Sequence, residues 1–305
     1  MKPTLFDNLS TADAAVMTEL APILDIAYVE PLKGGSERKF YVETTCGERR
    51  LVRIGVVGDY GYEHYGIANG NQTFAHIAKT GLPVTQMLRY GYCGGGALYY
   101  QFCTWLDGEC PVRFIHHLSP AEQYALGVQV GETARLLHTL PALPSPHKRN
   151  RENPWCVWWK EDLLWRIKEY ESKPGITRVH EMFIKYLQDN IDLVDGRPQT
   201  FIHGDWNTGN YIFMPDGKIG IIDTGATGGD PWMEFRYSNG INDGPYFDSG
   251  QINGYFGGNP PAEYFPLLLL YTADSALYWN WEGLDEQMLA MYDEMRNPVP
   301  SWYSK

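Results

Sequence analysis

The apolar residues of this chain change their spacing near residue 106, and that change limits the folds open to it. From about residue 23 to 105 the pattern is strand-like. Ile26, Tyr28 and Val29 lead into the turn signal Lys33-Gly34-Gly35-Ser36, and Phe40, Tyr41 and Val42 follow. Cys46-Gly47-Glu48 then turns the chain again before Leu51, Val52 and Ile54. Short apolar runs joined by glycine-containing turns predict an antiparallel meander. A helix is predicted over about 70–80, where Phe74, Ile77 and Ala78 are spaced three and four apart, with Gly81 and Pro83 ending it. Two more strands are predicted at 87–92 and 97–102, separated by Gly94-Gly95-Gly96.

Beyond Glu109 the helical period takes over. Ser119-Pro120 with Glu122 forms a capped start, and Leu126, Val130, Ala134 and Leu137 line one face of a helix running to about 140. A proline-rich loop at 141–154 leads to the aromatic segment 155–170, a helix near 179–190 and two short strands at 200–203 and 219–223. The last sixty residues read as helices broken by glycine and proline. Their aliphatic run Leu267 to Leu270 reads as a buried helix segment, far short of the ~20 residues that span a bilayer. A strand-rich first third joined to a helix-rich remainder predicts a two-lobed α+β molecule with a cleft between lobes 1–106 and 107–305.

Charge narrows the partners. The 305 residues carry 25 Lys+Arg against 37 Asp+Glu, a net charge of -12, which argues against a nucleic-acid partner. An acidic surface serves solubility first and also suits a cationic substrate. The first twenty residues show no basic start followed by an apolar run, so no secretory signal is expected. Five cysteines form no CxxC pair, which points to reduced thiols and a cytoplasmic protein; with no apolar run of spanning length, no membrane partner is expected.

The chemistry concentrates in Phe201 to Phe235. Phe201-Ile202 runs into His203-Gly204-Asp205, Asn210 lies five residues beyond Asp205, and a hairpin turning at Pro215-Asp216-Gly217 delivers Ile221-Ile222-Asp223-Thr224-Gly225. Phosphoryl transfer needs a carboxylate to take the attacking hydroxyl's proton, and an amide oxygen with a second carboxylate to hold Mg²⁺ against a triphosphate. Singly, each motif is ordinary: Gly-Asp pairs are common in turns, and His203 alone reads as a buried core histidine. In this order and spacing, with a hairpin between them, they point to one site.

On these residues the chain resembles the aminoglycoside phosphotransferase and choline kinase superfamily, distant relatives of protein kinases. HGDWNTGN is similar to that family's HxDxxxxN catalytic loop, and IIDTG to the segment bearing its second metal-binding aspartate. GETARLLHTL at 131–140, GLPVTQMLRYG at 81–91 and residues 99–108 resemble its leucine-histidine helix, the segment after its C-helix and its hinge. The resemblance implies a protein-kinase-like fold, with an N-lobe (1–106) of antiparallel sheet plus one helix for nucleotide and a mainly helical C-lobe (107–305) for catalysis and substrate. It implies Asp205 as catalytic base, Asn210 and Asp223 as Mg²⁺ ligands, and His203 as a structural partner of the loop. ATP or GTP is the implied co-substrate.

On the nucleotide side, Gly34, Gly35 and Ser36 occupy the first strand turn, where backbone N–H groups can cover phosphates, although a plain tight turn reads equally well. Arg53 stands where the family commonly has lysine, and arginine can grip phosphate in a bidentate way. The glutamate expected on the following helix is not evident. On the substrate side, Asp230 and Glu234 follow the metal aspartate, and Trp158 and Asp162 sit in an aromatic, acidic helical segment able to hold a polycationic sugar; a core stripe with a solvated acidic face is the plainer reading. The function expected is transfer of a γ-phosphoryl group to a small-molecule hydroxyl, with an aminoglycoside or related antibiotic favoured. The alternatives are a metabolic kinase for a sugar, amino alcohol or fructosamine, and a catalytically silent nucleotide-binding homologue. A monomer or a homodimer is expected.

Overall fold

A computed structural model describes residues 8–33, 37–58, 70–145, 148–172, 178–224, 228–277 and 285–303. Its contacts divide the chain into two compact units, one of Met1–Gly108 with Ile212–Gly225, the other of Glu109–Tyr211 with Ala226–Lys305.

The first unit is built on five antiparallel strands, β1 (Ile26–Leu32), β2 (Arg38–Thr44), β3 (Arg49–Val56), β4 (Met87–Cys93) and β5 (Leu98–Thr104), in the order β1-β2-β3-β5-β4. Alternation gives the sheet two faces. One presents Phe40, Val42, Val52, Ile54 and Tyr100 to Val16, Met17, Leu20 and Leu24 of helix α1 (Thr11–Leu24), closing an apolar core. That helix was not expected. Pro22 lies inside it, yet Ser10 Oγ accepts from the Asp13 N–H, Asp25 adopts a left-handed φ of 59° at its end, and burial of one face on the sheet holds it. The other face carries Lys39, Arg53 and Gln101 in one cross-strand row. Helix α2 (Gly70–Ala78) follows β3 as the spacing predicted.

The expected boundary near 106 differs at one hairpin, β6 (Tyr211–Phe213) with β7 (Ile219–Ile221), which turns at Pro215-Asp216-Gly217 with Gly217 at φ 80°. Residues Ile212–Gly225 belong with the strand-rich unit because Ile221 donates its N–H to Pro83 O (2.9 Å) and accepts from Thr85 N (3.3 Å). Asp223 thereby becomes a residue of the first unit.

The second unit is helical: α3 (Pro120–Leu137), α4 (Lys148–Glu152), α5 (Trp155–Glu171), α6 (Arg178–Asn190), α7 (Pro245–Phe256), α8 (Tyr264–Ala276) and α9 (Asp285–Met295). Ser119 and Glu122 close a capping box at the start of α3. The α3–α7 contact is backbone against backbone. A Cβ on Gly131 would stand 2.0 Å from Gln251 O, and one on Gly254 2.1 Å from Val128 O, so both positions require glycine. This glycine face buries Gly127 and Gly131 beside Val130, Ala134 and Leu137, and leaves Leu126 only half-buried. Helix α8 is buried almost all round, Leu267 to Leu270 included, and no helix among the described residues is long and apolar enough to cross a membrane.

The strand expected at 200–203 is absent. Thr200 bridges Gly229 and Pro141 and the Phe201 N–H pairs with Leu140 O (3.0 Å), but the N–H groups of His203 and Gly204 turn to the Glu234 carboxylate.

Candidate active site

Two clusters, one in each unit, hold Arg53 and Asp223 on one side and His203, Asp205 and Asn210 on the other. In the first unit Asp223 follows β7 in a left-handed conformation (φ 56°), which aspartate tolerates better than most residues and which marks a constrained position. Lys39 Nζ donates to its Oδ2 at 3.0 Å, and Arg53 Nη1 donates to its Oδ1. Burial works to raise the Asp223 pKa, but Arg53 and Lys39 outweigh it and hold the carboxyl below its ordinary value. Arg53 has a second anchor: its Nε donates to Glu37 Oε2 at 2.5 Å, while Tyr99 Oη donates to Glu37 Oε1 at 2.9 Å. The Tyr99 ring reaches Glu37 by crossing Gly55, where any Cβ would collide with it at 2.3 Å. The carboxylate facing Arg53 thus comes from the residue ahead of β2. Gly34, Gly35 and Ser36 lie outside the described residues.

In the second unit Asp205 is exposed and held by amides. Asn207 Nδ2 donates to its Oδ1 (2.8 Å), and Asn210 Nδ2 donates to its Oδ2 and to its backbone oxygen (2.7 Å each). Among the described residues no cation pairs with Asp205. His203 is buried beneath the loop: its Nδ1 accepts the Asp205 N–H (3.2 Å) and its ring meets Trp206 edge-on at 5.6 Å. Glu234, fully buried, accepts the His203 N–H at 2.6 Å and the Gly204 N–H at 2.8 Å, and Arg236 Nη2 donates to Gly204 O. Burial pushes the Glu234 pKa up, but His138, His203 and Arg236 bring it below its ordinary value. Asp205 adds to the rise that burial produces in the Tyr237 phenol, which places that ring in the same electrostatic neighbourhood.

Each unit holds an oxygen donor of the kind that suits Mg²⁺: in the second, Asn210 turns its amide nitrogen to Asp205, which directs its Oδ1 elsewhere, and in the first, Asp223 supplies a hard carboxylate that prefers cations. Among the described residues no group of three or more His, Cys, Asp or Glu side chains forms a metal cluster, so such an ion would take its remaining ligands from substrate phosphates and water.

The substrate-side expectations meet a different geometry. Asp230, fully buried, accepts from Arg197 Nε (2.6 Å) and Nη2 (3.0 Å), from Tyr271 Oη (2.7 Å) and from the Trp232 N–H that it caps. Its oxygens, like those of Glu234, serve internal partners, because burying a carboxylate requires that they be matched. Asp162 pairs with Arg149 at the surface of α5, and Trp158 packs edge-on against Trp155. Glu37, Lys39, Asn207 and Arg236 were not foreseen. Lys39 had a signal: a turn centred on Cys46 pairs residue 39 with residue 53, the register observed.

A sheet face bearing basic residues and a loop bearing an exposed aspartate, in an α+β chain of this topology, define a kinase-like fold. The chain belongs to the phosphotransferase enzyme family, whose model matches residues 28–264. It is thereby an enzyme of phosphoryl transfer to a hydroxyl acceptor. An apo thermostable mutant of the aminoglycoside phosphotransferase APH(4)-Ia is similar in fold, at TM-score 0.65 and 15% identity over 92% of this chain and 95% of that one. The GDP complex of aminoglycoside 2'-phosphotransferase-IIIa matches at 0.63 and 15% over 94% and 95%. A choline/ethanolamine kinase family protein from Mesorhizobium loti matches at 0.59 and 19% over 93% and 92%. No curated protein sequence is significantly similar to the chain.

Proposed function

We propose that the chain transfers the γ-phosphoryl group of ATP or GTP to a hydroxyl of a small molecule, with Asp205 as base. The observation that carries this reading is the setting of Asp205: an exposed carboxylate, oriented through both oxygens by neutral amides and paired with no cation among the described residues, so that it can accept a proton. As the acceptor oxygen bonds to the γ-phosphorus, its proton passes to Asp205 and the bond to the β–γ bridging oxygen breaks, releasing the nucleoside diphosphate. Glu234 and Arg236 fix the loop backbone from below, which keeps Asp205 aimed. Mg²⁺ held by Asn210 and Asp223 would neutralise developing phosphate charge. Arg53, anchored by Glu37, is the phosphate-gripping cation.

The favoured acceptor is an aminoglycoside or related antibiotic, which would make the protein a resistance-type enzyme in the cytoplasm, a monomer or homodimer independent of membrane and nucleic acid. Support comes from similar folds solved as a ternary complex with ADP and hygromycin B and as a GDP and kanamycin complex. The acidic excess lends this acceptor no weight, since Asp230 and Glu234 face inward and Asp162 faces Arg149. A metabolic amino alcohol kinase is the second reading, favoured by the choline/ethanolamine kinase likeness. A panel of aminoglycosides, sugars and amino alcohols, scored by ADP and GDP release, tests both: stimulation by a metabolite and by no aminoglycoside removes the antibiotic.

A further inference from the structure

Lys39 on β2 and Arg53 on β3 are direct cross-strand partners, two cations side by side on one sheet face. Like charges so placed repel unless they share an anion. Here the anion is Asp223, each oxygen of which takes one of them. Counting Glu37, the four groups carry two positive and two negative charges. Their partners are unequal, however. Arg53 keeps Glu37 whatever Asp223 does, whereas Lys39, 18% exposed at its side chain, has no other ion pair among the described residues. When Asp223 turns elsewhere, Lys39 and the Arg53 Nη1 group require another anion.

We propose that Lys39 is a second phosphate-binding cation, working as a cross-strand pair with Arg53, and that Asp223 competes with phosphate for this pair. The proposal rests on the kinase reading above. A triphosphate suits the pair: lysine supplies a compact point charge and arginine a planar donor edge held in place by Glu37 and Tyr99. Asp223 and a phosphate oxygen are then alternative partners for the same two side chains.

The test is equilibrium binding of ATP or GTP, whichever the wild type prefers, with its unphosphorylated nucleoside as internal control. With Mg²⁺, Lys39→Met should weaken triphosphate binding about tenfold or more while Lys39→Arg largely restores it, and nucleoside affinity should not move. In EDTA, Asp223→Asn should bind triphosphate more tightly than the wild type, by about tenfold, and adding Lys39→Met should abolish the gain. Unchanged triphosphate affinity in Lys39→Met, equal loss of nucleoside binding, or no gain in Asp223→Asn overturns the proposal. A wild type that binds neither nucleotide with Mg²⁺ present removes the kinase reading instead.

Discussion

Asp205 and Asp223 are two carboxylates held by partners of different kinds. Asp205, in the helical unit, is exposed and held by the side-chain amides of Asn207 and Asn210. Asp223, in the strand-rich unit, is mostly buried and held by the cations Lys39 and Arg53. Neutral donors orient a carboxylate without cancelling its charge, so it remains able to take a proton. Cations cancel the charge, so the group suits electrostatic work and exchange with other ions. Each is backed by a buried glutamate: Glu234 holds the backbone under Asp205, and Glu37 holds the arginine beside Asp223.

The largest effect should come from Asp205→Asn, which keeps one acceptor oxygen for the two amides and removes the proposed base. Turnover should fall about 10²–10⁴-fold with nucleotide affinity preserved, measured as kcat beside Kd. Full activity would end the distinction between the two carboxylates.

Next come the supporting glutamates. Glu234→Ala leaves the buried His203 N–H and the partly buried Gly204 N–H without an acceptor and should cost about 3–5 kcal/mol in urea unfolding. Glu37→Ala should cost less, about 1–3 kcal/mol, because Arg53 retains Asp223. A larger loss for Glu37 would reverse the ranking of the two supports.

Acid should separate the carboxylates by sign. Glu234 and Asp223 have lowered folded pKa values, so their contribution is complete above the ordinary carboxylate range and lost as pH falls through the folded values. Asp248 behaves oppositely: burial and then Asp243 raise it, so its contribution weakens as pH rises from the ordinary range towards its folded value. Asp248→Asn should therefore raise stability near neutral pH relative to wild type and leave it little changed in acid, read from melting temperature against pH. Smallest of all, Asp162→Asn should leave melting temperature and the acceptor KM unmoved, since its partner Arg149 is a surface residue. A raised KM would return Asp162 to the substrate side.

The strands, α2, the capped start of α3 and the Pro215-Asp216-Gly217 hairpin were all legible from local pattern, because period, caps and turn residues act over a few positions. Helix α1 was not, since Pro22 hides its period and the sheet it covers lies outside its own segment. The spacing of His203, Asp205, Asn210 and Asp223 was legible because a short loop and a hairpin encode it.

Residue type and spacing along the chain thus singled out the groups proposed for phosphoryl transfer, since that chemistry demands particular side chains on short loops. They did not assign partners. Arg53 found its glutamate at position 37, Lys39 joined it across two strands, and Asp230 and Glu234 turned inward to Arg197 and to backbone N–H groups. Those pairings depend on which charges are withdrawn from water together. Burial imposes that matching across distant segments, and it is settled only when the chain has closed on itself.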